Sequence, residues 1–131
     1  LNKNTIVTND IVELIDDKSF FWKGRKDFVI NCGGVKYFPE LLEKKIIGLK
    51  NIRFIICGIP DPILTEKIVI VFEKCIPPNV KRMFESFSVY EKPKLIFTLE
   101  KFRLKNGKID RKSIMERVLK IKNETARKRN I

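Results

Sequence analysis

Lys67-Ile68-Val69-Ile70-Val71-Phe72 is the stretch that decides the fold. Its β-branched and aromatic residues follow one another with no polar alternation. That is the pattern of a strand covered on both faces, so a central place in a sheet is predicted. Upstream, Arg53-Phe54-Ile55-Ile56-Cys57 reads as a second strand, and Gly58-Ile59-Pro60-Asp61-Pro62 reads as the break that ends it. Downstream, residues 94–99 read as a third strand. Pro77-Pro78 closes the central unit and opens a helix with Val80, Met83, Phe84 and Phe87 on one face.

Working outward, Pro39 stands where a first helical turn begins. Leu42, Ile46 and Leu49 follow at i, i+4 and i+7, which predicts an amphipathic helix of about three turns. Before it, residues 11–15 form a strand candidate, residues 16–19 a polar turn, and Phe20-Phe21-Trp22 a returning strand. Phe28-Val29-Ile30 is a further short strand running into Gly33-Gly34. Near the other end, Asn106-Gly107 is a turn and Asp110 an N-cap for a last helix lined by Ile114, Val118 and Ile121. The expected class is α+β: a small mixed three-stranded sheet with about three packed helices, preceded by a two-stranded β-hairpin.

The chain has 131 residues, a net charge of +12 and no histidine. One domain and a stub of another fit that length. The lack of histidine removes histidine-based triads, HExxH metal sites and histidine general bases together. The three cysteines, Cys32, Cys57 and Cys75, form no CxxC pair, so no metal site is expected. They read as reduced core or loop thiols, and a cytoplasmic setting is expected. No apolar run approaches the roughly 20 residues of a membrane helix. Residues 101–131 hold 12 basic and 3 acidic residues, a net of +9, against +3 for residues 1–100.

Taken singly, the polar motifs have plain readings. Asp10 suits a turn before a strand, Gly24-Arg25-Lys26-Asp27 a solvated turn, and Gly33-Gly34 a turn with positive φ. Asn106-Gly107-Lys108-Ile109-Asp110-Arg111 is more pointed. It is either a hairpin followed by a helix cap, or a glycine loop whose lysine reaches a phosphate. The basic tail is suited to weak, salt-sensitive polyanion binding, but no RNA-binding signature accompanies it and no specific nucleic-acid role is expected.

The order of the pieces resembles the adenylate-forming superfamily of acyl- and aryl-CoA synthetases, peptide-synthetase adenylation domains and luciferases. The residues that carry the resemblance are Thr8-Asn9-Asp10, Gly24-Arg25-Lys26-Asp27, Gly33-Gly34 with Pro39 and Glu43, Gly58-Ile59-Pro60-Asp61, and Gly107-Lys108-Ile109-Asp110-Arg111. They follow the family's TGD, GRxD, GGxxxxPxxIE, GxPD and GKIxR motifs in sequence, over residues 8–118. Residues 8–43 are most similar to o-succinylbenzoate–CoA ligases of menaquinone biosynthesis. Three positions depart from the pattern. Asn9 and Thr65 stand where the family commonly has glycine, and Phe102-Arg103-Leu104-Lys105 lacks the usual proline and threonine.

The resemblance implies a C-terminal lid. Residues 1–22 would end the large N-terminal domain and begin the linking hairpin, residues 23–120 would be the lid, and residues 121–131 a frayed basic tail. The large domain would be the partner, holding the phosphate loop, the acyl pocket and Mg2+, so the piece alone is expected to be inactive. The reaction implied is activation of a small carboxylic acid with ATP, giving an acyl-adenylate, then thioester formation with coenzyme A and release of AMP. Asp10 and Arg25 would bind the ribose of the nucleotide, Lys108 would be catalytic in adenylation, and Asp27 would be the hinge. Gly33 and Gly34 would line the coenzyme A channel. Two other readings stay open: the lid of a carrier-protein-dependent adenylation domain, and a stand-alone basic nucleic-acid-binding module.

Overall fold

The computed structural model describes the backbone of residues 10–14, 20–46, 49 and 51–129, and their side chains from 27 to 124. Thr8, Asn9, the turn expected at 16–19 and the last two residues lie outside the described residues. The chain opens with an antiparallel hairpin, β1 (Asp10–Leu14) and β2 (Phe20–Arg25), with a bulge between Ile11 and Val12. A single 3-10 turn, Lys26–Phe28, leads to a second hairpin, β3 (Ile30–Cys32) and β4 (Val35–Tyr37), turning at Gly33-Gly34. Helix α1 (Pro39–Lys44), β5 (Phe54–Asp61), β6 (Thr65–Glu73), the one-turn α2 (Val80–Met83) and β7 (Leu95–Leu99) follow. A third hairpin, β8 (Leu104–Lys105) and β9 (Lys108–Ile109), precedes α3 (Arg111–Arg129).

Strand β6 is central, as its composition demands. It pairs antiparallel with β5 and parallel with β7, and the start of the same strand meets β3 through Cys32 and Thr65. The mixed three-stranded sheet is therefore present, widened to five strands by the glycine hairpin. Alternate residues of β5 and β6 feed two cores. Ile56, Ile68, Ile70 and Phe72 pack with Leu42 of α1 and with Met83, Phe84 and Phe87 around α2. Ile55, Cys57, Ile59, Val69 and Val71 pack with Leu99, Phe102, and Ile114 and Val118 of α3. Helices on both faces explain why β6 shows no polar alternation.

Four local expectations are corrected. Strand β5 does not break at Gly58; it runs on to Asp61. It is an edge strand, where a proline's missing N–H costs no ladder bond. Gly58 is needed for space, since a Cβ there would stand 2.8 Å from the Ile30 side chain. Helix α1 spans 6 residues rather than three turns. The N–H groups of Lys45 and Ile46 fall back on Leu42 and Glu43 carbonyls (3.1 and 3.2 Å), and Ser86 Oγ donates to the Lys45 carbonyl at 3.0 Å. Ile46 and Leu49 still pack on the core, so the periodicity found the apolar side chains but not the helix end. The face of Val80, Met83, Phe84 and Phe87 also reaches the core from little more than one helical turn. Ile121 is exposed, and Met115 and Leu119 pack against the second core instead.

Thr65 adopts φ +75°. It opens β6 just after a turn in which Asp61 Oδ2 accepts the N–H groups of Ile63 and Leu64 at 3.0 and 2.8 Å. A β-branched residue in that region carries about 1–2 kcal/mol of strain. Thr65→Gly is therefore expected to stabilise the chain, by about 0.5–1 kcal/mol once the entropy of glycine is charged against it. The urea midpoint should rise with an unchanged slope.

All three cysteines are free. Cys57 is buried, and burial pushes its thiol up to about 12. Cys75 is exposed and Cys32 half-buried. Maleimide labelling of the native chain should modify Cys75 first and reach Cys57 only after denaturant is added.

Candidate functional site

The residues singled out from sequence occupy three hairpins and the turn between two of them. In the first hairpin, Asp10 and Arg25 are direct cross-strand partners at its open end. Their pairing follows from the alternation of residues 10–14 and 20–25 and puts both candidate nucleotide ligands at one level. Asp27 follows two residues later in the 3-10 turn and is exposed. A single short turn with a strand on each side is a suitable place for the chain to swivel.

Gly33 and Gly34 form the tip of the second hairpin with φ +59° and +84°. Two successive positive φ values make the turn whose twist matches the flanking strands. Gly33 N–H donates to the Leu64 carbonyl at 2.8 Å, which ties the tip to the Thr65 end of β6. A Cβ on Gly34 would meet nothing within 4 Å. The bare backbone at this position therefore faces open space.

Lys108 stands directly after the tip of the third hairpin and is exposed. Asn106 and Gly107 supply the turn with φ +53° and +77°. Lys105 pairs with Lys108 across it. The arm is short, but its base is fixed. Entering it, Phe102 is buried and its N–H donates to Glu73 Oε2 at 2.7 Å. Leaving it, Asp110 N–H donates to the Arg103 carbonyl at 2.9 Å. Asp110 Oδ1 then accepts Ser113 N–H at 3.3 Å, so the expected N-cap of α3 is present. An open cleft of about 300 Å³ beside the arm is lined by Arg103, Lys105 and Lys112 together with Asp110, Ser113 and Glu116.

The glycine tip is held at the Thr65 end of β6 and the lysine arm at the Glu73 end. Nine residues of strand separate these anchors by about 26 Å at 3.3 Å per residue. The two loops thus leave the sheet at opposite ends, and the structure does not bring them together.

Sequence reasoning gave no role to an ion pair at the centre of this frame. Glu43, in the last turn of α1, takes Arg111 as a bidentate partner. Arg111 Nη1 donates to Glu43 Oε2 at 2.7 Å, and Nη2 donates to Oε1. Glu43 Oε2 also accepts the Ile56 N–H of β5 at 2.9 Å. Both side chains are about 15% exposed. Burial pushes the Glu43 carboxyl up, while Arg111 and the Ile56 N–H pull it down. Burial wins, so the carboxyl lies above the ordinary glutamate range, and the charged guanidinium limits the rise. The only signal in the sequence was that both residues fall inside quoted motifs, 68 positions apart.

No protein-family model matches the chain, and no curated protein sequence matches it. Solved structures do. An AMP-forming acyl-CoA synthetase/AMP-acid ligase II-like protein from Dyadobacter fermentans is 32% identical over 84% of this chain and 34% of its own length, with a TM-score of 0.61. E. coli MenE with bound OSB-AMS is 24% identical over 85% of this chain and 25% of its own, with a TM-score of 0.65. A Mycobacterium tuberculosis fatty acyl CoA synthetase is 24% identical over 84% and 23%, with a TM-score of 0.64.

The fold is shared with AMP-forming acyl-CoA synthetases. The chain spans about a quarter to a third of the length of these neighbours. Among the described residues, no group of histidine, cysteine or carboxylate side chains is arranged to hold a metal ion, and no helix is long and apolar enough to cross a membrane.

Proposed function

We propose that this chain is the C-terminal lid of an AMP-forming acid–CoA ligase, with residues 23–120 as the moving body and residues 1–22 joining it to the large domain. The observation that carries the reading is the placement of two exposed, differently built loops at opposite ends of β6. A lid that serves two half-reactions in turn needs two such faces and a pivot.

In the first half-reaction the substrate carboxylate attacks the α-phosphorus of ATP and pyrophosphate leaves. Lys108 Nζ supplies a positive charge where negative charge builds on the carboxylate and α-phosphate oxygens. Asp10, as an acceptor, and Arg25, as a fixed fork of donors, hold the ribose from the open end of the first hairpin. The chain then turns about Asp27. In the second half-reaction the coenzyme A thiol adds to the acyl carbonyl and AMP leaves, with Gly33 and Gly34 beside the incoming arm. Mg2+ belongs with ATP in the large domain, so the isolated chain has no complete site.

The acid we assign is o-succinylbenzoate, placing the enzyme in menaquinone biosynthesis in the cytoplasm. The motif pattern of residues 8–43 supports this, as does the occurrence of E. coli MenE among the structural neighbours. The test is pyrophosphate exchange by the full-length protein with a panel of carboxylates. Exchange that needs o-succinylbenzoate is the expected result. Exchange with another acid only would displace that assignment, and no exchange with any acid would remove the ligase reading.

Gly34→Leu should lower the coenzyme A step at least about tenfold and leave adenylate formation within about twofold. A Cβ at Gly34 meets nothing within 4 Å in this chain, so a steric loss confined to the coenzyme A step points to the incoming molecule. Gly34→Ala, which bears the same positive-φ strain with one carbon, controls for backbone effects. Equal rates for Gly34→Leu and the parent with coenzyme A would contradict the channel assignment.

A further inference from the structure

We propose that the Glu43–Arg111 pair is a positioning device for Lys108: it pins the exit of the lysine arm to the sheet and thereby sets where Nζ stands. The proposal rests on the adenylation role given to Lys108 above. Only Ile109 and Asp110 separate Lys108 from Arg111. Arg111 directs its donors at one helix, with Nη1 and Nη2 on Glu43 and Nε 3.9 Å from Glu40 Oε1. A planar guanidinium facing a carboxylate bidentately fixes an orientation, which a point charge does not. The acceptor is itself held, because Glu43 Oε2 takes the N–H of Ile56, a buried residue of β5 in the first core.

The entrance to the arm is pinned independently. Phe102 is buried and its N–H sits on Glu73. Residues 103–108 between the two pins are all exposed. The position of Lys108 is therefore set by its two roots. Glu43 also closes the helix that follows the glycine hairpin and lies against β2 and β5. One ion pair thus joins the segment leading from the pivot to the segment carrying the lysine. A misplacement of about 1 Å at a reacting group can cost roughly 100-fold in rate.

The test uses Arg111→Lys and Glu43→Asp, which keep the charges and lose the bidentate geometry. In the full-length ligase each should lower kcat for adenylate formation about 10- to 100-fold. KM for ATP, and thioester formation from preformed adenylate, should stay within about twofold. In the 131-residue chain, amide hydrogen exchange at Gly107, Lys108 and Ile109 should quicken about tenfold or more, while β5 and β6 stay within about twofold. Equal loss of both half-reactions, or exchange that quickens evenly through β5 and β6, would make the pair merely structural and overturn the proposal. No change in either readout would overturn it too. If Lys108→Ala itself spares adenylation, the catalytic role given to Lys108 falls and the proposal falls with it, a failure separable from one in which Lys108 matters and the pair does not.

Discussion

Lys108→Ala in the full-length ligase is expected to slow adenylate formation by about 100- to 1,000-fold, the range seen when one preorganised donor to a developing charge is lost. Thioester formation from preformed adenylate should stay within about twofold. The asymmetry follows from the role proposed for Lys108, and its placement accommodates that role. The side chain is exposed after a two-residue turn, and its arm leaves the sheet at the Glu73 end of β6, the other end from the one that holds the glycine tip. It packs on nothing that folding requires, so its truncation leaves both cores intact. The two half-reactions are read separately, by pyrophosphate exchange and by single turnover of synthetic adenylate with coenzyme A. A protein that merely unfolded would lose both.

Glu43→Ala should have the largest effect on stability, a loss of about 3–5 kcal/mol, because it strands the Arg111 guanidinium in a mostly buried place. It also leaves the Ile56 N–H without its acceptor. Urea denaturation of the 131-residue chain measures this. The paired replacement Glu43→Leu with Arg111→Met should lose less than either single truncation, since removing both charges removes the desolvation cost along with the attraction. A double variant as unstable as the sum of the singles would show that the packing around the pair, rather than an orphaned charge, sets the cost.

The sheet was legible because residues 67–72 carry a pattern that only a strand covered on both faces needs. The turn at Asn106-Gly107 and the cap at Asp110 were legible for a similar reason: few residues tolerate those backbone angles or satisfy a helix start, so the letters are diagnostic. Lys108 stands directly after that turn, where the sequence puts it. Gly58 and Pro60 misled for the opposite reason. Both residues usually punctuate, and sequence does not reveal that Ile30 would crowd a side chain at 58 or that Pro60 lies on an edge strand. Leu42, Ile46 and Leu49 share a helical period and all reach the core, yet the backbone leaves the helix after Lys44. Glu43 and Arg111 meet only through the tertiary fold, so neither one's neighbours announced the pair.

The central claim is that one small body presents two faces in turn, a lysine for adenylation and a bare glycine turn for the thiol. It is tested most directly by measuring both half-reactions for Lys108→Ala and Gly34→Leu side by side in the full-length ligase. The account predicts a crossed pattern, with the lysine variant losing adenylate formation and keeping thioester formation, and the glycine variant doing the reverse. Loss of the same half-reaction by both variants would contradict it.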